Sequence, residues 1–375
     1  MTGLNDTHSA TFDAFARSSA VDAQPFEVKN PFEKESLTFA RAYGSHVSGL
    51  RNAKGDRLNV DCGFLRDYGF NGVAGFEQGH HCCALDINLV GAMLDLAMTA
   101  LSVPEVLPDI GKAGAENSDR VRDRDWPMGY ALANADGLDD RKPVDRLTKP
   151  LDLGRRRCAV YLHLVALDLL WRHEIAHALL GHVGFARAGL NLKVLHERPS
   201  GGQGFEVLPL EVEADKHALL SCLDTASQDT APFQVKDLDL TADQRRRCTL
   251  LAASLVLWFW AYLEKADRRE TPDYEPAESH PPPGLRIMQL LTGVWDYFVW
   301  VTQNADGLTS LMDGLHDDLR GMALAHPRFA ILDPEVLYAS DRRDAAAAAH
   351  RIVAERRDAQ ASLLEPFRFF DEPEA

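Results

Sequence analysis

The stretch WRHEIAHALLGH, Trp171–His182, sets three histidines and a glutamate inside an otherwise apolar run. His173 and His177 are four residues apart, so on a helix their imidazoles share one face, a turn apart. Glu174 is turned about 100° from His173, where it can take a proton from a water on a bound ion. His-Glu-x-x-His on a helix is therefore the pattern of a zinc hydrolase, with two ligands and a general base. The flanks LVALDLLW and IAHALLGH call for a buried helix, expected over about 157–186. On such a helix His182 points about 140° away from His177, as a structural residue or an outer partner of the site.

A catalytic zinc needs a third protein ligand and one open position. The next helix, expected over about 208–224, carries LPLEVEADKHALL. EVEAD by itself reads as a solvated acidic face; after a His-Glu-x-x-His helix it reads as a ligand source. Glu211 and Glu213 point about 200° apart on a helix, so only one can face the histidines. Asp215 decides between them. It lies one turn after Glu211 on the same face, placed to hydrogen-bond a ligating histidine. Leu208 and Ala218 turn that stripe inward. Glu211 is thus the expected ligand, Asp215 its outer-shell companion, and Glu213 nearly dispensable. His217 faces elsewhere.

The third piece is SHPPPGLRI, Ser279 to Ile287. Its prolines fix a rigid turn that presents His280 and Arg286 in set directions, and a donor there could steady an oxyanion. GHHCCALD, Gly79 to Asp86, sets two histidines beside two cysteines; adjacent residues do not converge on one ion, so no second metal site is expected there.

HEIAHALLGH, EVEAD and HPPPGLRI, taken in that order, resemble the signatures of gluzincin peptidases, above all the CAAX prenyl endopeptidase and HtpX family. The resemblance covers roughly residues 165–290. It implies Zn2+ held by His173, His177 and Glu211, Glu174 as base, Asp215 behind a ligand, His280 as transition-state stabiliser, and a protein or peptide substrate. Members of that family carry transmembrane helices and this sequence shows none, which makes it similar instead to soluble phage-exclusion peptidases of the Lit type.

Composition narrows the classes further. A formal net charge of −16 gives no general attraction to phosphate backbones, so nucleic acid is not an expected partner. The longest apolar run, Thr249 to Leu263, falls short of the roughly 20 residues a membrane span needs. The first residues lack the pattern of a secretory signal, so the six cysteines read as reduced thiols and the location as cytoplasmic.

The expected fold is mainly α (α+β), a helical zincin-like catalytic core with a smaller α+β N-terminal part. Residues 1–25 lack periodicity and are expected to be disordered. Residues 26–155 form the α+β region, with possible strands in SLTFARAY and RLNVDCGF, a helix over 84–103 and a polar loop over 104–154. Residues 156–335 form the helical peptidase core, with Thr241 capping a helix that ends near Arg268. Residues 336–375 are a C-terminal helix and tail. The same ligands also suit a structural or regulatory zinc module without hydrolytic activity, or a hydrolase of other substrates. A structural site would close on a fourth protein ligand such as His182 or Cys82.

Overall fold

The computed structural model describes residues 9–18, 21–28, 31–66, 70–122, 148–196, 204–230, 232–268, 286–287, 290–291, 293–294, 298 and 305–370. In chain order its main elements are α1 (Ala10–Ala16), β1 (Gln24–Phe26), α2 (Pro31–Val47), β2 (Arg51–Asn52), β3 (Val60–Arg66), β4 (Gly72–Glu77), β5 (His80–Asp86) and α3 (Ile87–Ala100). Then follow α4 (Leu153–Leu179), α5 (His182–Gly189), β6 (Val194–His196), α6 (Gly204–Ser227), α7 (Ala242–Arg268), α8 (Ala305–Ala325), α9 (Ser340–Leu364) and β7 (Phe369–Phe370). The protein is mainly α with a small α+β part, as expected. No helix among the described residues is long and apolar enough to cross a membrane.

The chain forms two compact units, Met1–Val90 with Leu167–Ala218 and Ile352–Ala375, and Gly91–Ala166 with Leu219–Arg351. The first draws on three separate stretches of the chain. It contains a five-stranded sheet of order β1-β3-β5-β4-β6, in which β3 and β5 are parallel and the other pairs antiparallel. A second, two-stranded sheet pairs Arg51 with Phe370 and Asn52 with Phe369.

Successive side chains on a strand face opposite sides, and this sheet uses both. Val73, Cys82 and Ala84 pack with Phe12, Phe15 and Ala16 of α1 on one side. On the other, Phe64 meets Trp171 of α4 edge-on at 5.2 Å, and the Cys83 thiol donates to the Glu174 carbonyl at 3.4 Å. Cys82 and Cys83 are therefore packing groups, and burial pushes both thiols above their ordinary range. Order at Ala10–Ala16 corrects the expectation of a disordered start: Ser9 caps the helix by accepting from the Phe12 amide at 3.0 Å, and two phenylalanines are buried. SLTFARAY is helical, not a strand. The buried face of α2 is Glu33, Ser36, Leu37, Ala40, Gly44 and Val47, a helical spacing built largely of small residues. Trp171 Nε1 donates to Ser36 Oγ at 2.9 Å, which fixes α2 to α4.

In the second unit, part of the expected polar loop is built around one arginine. The buried Arg155 guanidinium donates to the carbonyls of Leu101, Val103, Val106, Leu107 and Ile110 at 2.7–3.1 Å. Glu116 accepts from the Leu151 and Asp152 amides, both at 2.9 Å. The stretch after α3 is thus ordered because its carbonyls have a buried donor; residues 123–147 lie outside the described residues. Thr241 does cap α7, and with Gln244 makes reciprocal bonds of 3.0 and 3.2 Å, a capping box.

Candidate metal centre

Helix α4 is buried on almost every side from Cys158 to Ala178, which suits its apolar sequence. His173 and His177 project from its last two turns and are 5% and 2% exposed. Glu211 of α6 is fully buried opposite them. His173 Nε2 and His177 Nε2 lie 3.0 Å apart; Glu211 Oε2 lies 3.2 Å from the first and Oε1 3.5 Å from the second. The three groups are close enough to share one ion.

The outer nitrogens decide what the inner ones are. His173 Nδ1 lies 3.0 Å from Asp215 Oδ1, a carboxylate that only accepts. Its N–H is therefore on Nδ1, and Nε2 carries a lone pair. His177 Nδ1 lies 3.0 Å from His182 Nδ1, and His182 Nε2 lies 3.2 Å from Glu213 Oε2. The Glu213 carboxylate takes the His182 N–H, so His182 Nδ1 accepts from His177 Nδ1, and His177 Nε2 also carries a lone pair. Two lone pairs and a carboxylate thus converge, and among the described residues no group other than these two imidazoles is paired with a Glu211 oxygen. A buried carboxylate left so is costly unless a cation meets it. Ligands about 2.0–2.1 Å from a tetrahedral zinc stand about 3.3 Å from one another, and the three separations bracket that value. The residues fit a zinc-type ion.

Burial pushes His182 down to about 4, so its ring is neutral. Glu213 is held below its ordinary range against burial by His182 and Arg368, whose Nη2 donates to Oε1 at 2.7 Å.

His182 does not point 140° away, because α4 ends at Leu179. Gly181 adopts φ 82°, the left-handed conformation that closes a helix, and α5 starts afresh at His182. The break returns the third histidine to the second. Glu213 is correspondingly not idle: it anchors His182. His217 is turned away, with its Nε2 3.1 Å from the Tyr43 hydroxyl. His80 pairs with Asp61 at 3.3 Å, while His81 packs edge-on against Phe76 and Phe369. His280 lies outside the described residues; Arg286 is buried.

Glu174 is 2% exposed and its carboxylate rests against Gly72, the first residue of β4. A Cβ at Gly72 would fall 1.9 Å from Glu174 Oε1. The glycine was not legible as a site residue, since only the fold brings β4 to α4. Gly72→Ala should displace the flexible end of Glu174 and little else. With Glu174 as the general base that its motif implies, the expected result is a melting temperature close to the parent's and a loss of turnover of about 10-fold or more, on the 10²–10⁴ scale of general-base catalysis. Equal turnover in the two proteins would show that the carboxylate position is unimportant.

No known family model, no characterised protein and no solved structure matches the chain.

Proposed function

We propose that the protein is a zinc-dependent metallopeptidase acting on a peptide or protein substrate. The observation that carries this reading is the convergence of His173 Nε2, His177 Nε2 and the fully buried Glu211 carboxylate at 3.0–3.5 Å beside Glu174 in sequence. Two histidines and a carboxylate are the set used by catalytic zinc, which keeps a further position open. Bound there, the ion supplies Lewis acidity, polarising a carbonyl and lowering the pKa of water. Glu174 accepts the proton of the attacking water and passes it to the leaving amine. Asp215 and His182 hold the two imidazoles in the ligating tautomer.

Two observations favour this over a closed structural site. His182 spends its nitrogens on His177 and Glu213, and Cys82 packs in the α1 cluster, so neither proposed fourth ligand is turned to the ion. The sheet also offers an edge. β6 flanks β4, the strand that begins against Glu174, and an extended peptide would lie beside β6 as an added strand.

The test is metal analysis of the purified protein with cleavage profiling of an unbiased peptide library. One zinc per chain and cleavage lost to a chelator and restored by zinc are expected. A zinc-loaded protein that cleaves nothing in the library or in a whole-proteome digest would favour the regulatory module instead.

A further inference from the structure

His173 and His177 are braced differently. His173 meets a carboxylate directly through Asp215 at 3.0 Å. His177 reaches one through a second imidazole: 3.0 Å to His182, then 3.2 Å to Glu213 Oε2. The far oxygen of that carboxylate takes the Arg368 guanidinium at 2.7 Å. Each link has one permitted direction. Arg368 can only donate, Glu213 can only accept, and His182 must therefore donate to Glu213 and accept from His177.

The end of this chain is held in place. Phe369 and Phe370 pair with Asn52 and Arg51 of β2, and Lys54 Nζ sits 3.7 Å over the Phe367 ring. Phe367 presses on the helix break itself: a Cβ at Gly181 would fall 2.6 Å from its carbonyl carbon, and one at Gly184 2.6 Å from its ring. Arg368 is thus delivered to Glu213 by backbone that touches the turn on which His182 stands.

We propose that Glu213 and Arg368, acting through His182, are positioning residues for the ligand His177, so that the segment 365–370 fastens the metal centre. This rests on the reading of His173, His177 and Glu211 as ligands. It assigns work to a glutamate and an arginine that touch neither ion nor substrate, and it makes metal affinity depend on a segment far along the chain from the His-Glu-x-x-His helix.

The experiment measures metal affinity of the full chain by chelator competition, and the visible spectrum of the cobalt-substituted form, which reports the ligand field at His177. Glu213→Ala should weaken affinity by roughly 10- to 100-fold, as should Asp215→Ala, and should shift the cobalt bands. Glu213→Gln keeps the packing and an acceptor oxygen, so it should melt like the parent in the metal-free state yet bind metal more weakly. Arg368→Met, removing a partly exposed charge, should cost about two- to fivefold. If Glu213→Ala folds poorly, the Gln and Met variants decide. Parent-like affinity and cobalt bands in Glu213→Gln and Arg368→Met, beside a weakened Asp215→Ala, would overturn the proposal. Full affinity in Glu211→Ala would instead overturn the ligand set, and the proposal with it.

Discussion

Glu174→Gln should leave the protein folded and metal-loaded and almost without activity. Glutamine has the shape of glutamate and fits the same space against Gly72, and the proposed ligands His173, His177 and Glu211 are untouched. What it lacks is the basicity to take a proton from water. Turnover should fall by roughly 10²–10⁴, the contribution of a positioned general base, with zinc content equal to the parent's. Both kcat and kcat/KM should drop together, because the lost interaction belongs to the transition state. Parent-like cleavage by the variant would remove Glu174 from the mechanism. Loss of zinc along with activity would make Glu174 part of the metal shell.

Glu211→Ala should empty the site. The ion loses its anionic ligand and keeps two neutral imidazoles, so affinity should fall by well over the 10- to 100-fold that an outer partner contributes. The thermal signature is the sharper readout. An ion bound only by the folded state stabilises it by about 4 kcal/mol at a thousand times its dissociation constant. The parent's melting temperature should therefore rise with added zinc and the variant's should not. The metal-free variant should lose little stability, because the substitution removes a buried carboxylate that, among the described residues, meets only the two imidazoles. A zinc-dependent melting shift in Glu211→Ala, missing from a matched Glu213→Ala, would exchange the roles of the two glutamates.

The helices were legible where their signals are local. Thr241 and Gln244 announce α7 by capping chemistry that needs nothing beyond four residues. The choice of Glu211 over Glu213 to face the histidines follows from helix geometry, because His173 with His177 and Glu211 with Asp215 each lie within one continuous helix. The same geometry misplaced His182, since it was carried across Leu180 and Gly181, where the helix is broken. A glycine after the last apolar turn is itself a stop signal, and Gly181 is that glycine here. α2 was misread because small residues on its buried face hide the helical period. The pairings of Gly72 with Glu174 and of Arg368 with Glu213 follow from tertiary structure alone, and no local pattern announces either.

The three-stretch makeup of the first unit also has a consequence in time. Glu213 and Arg368 are 155 residues apart. At about 5–20 residues per second, synthesis needs roughly 8–30 s to pass from one to the other. Throughout that interval a nascent chain already owns every residue of the His-Glu-x-x-His helix and the carboxylate of α6, yet lacks the last strand of the small sheet. A protein assembled in this order acquires its finished centre late, after the histidines and glutamates of that centre have been made, and spends its synthesis with the centre incomplete.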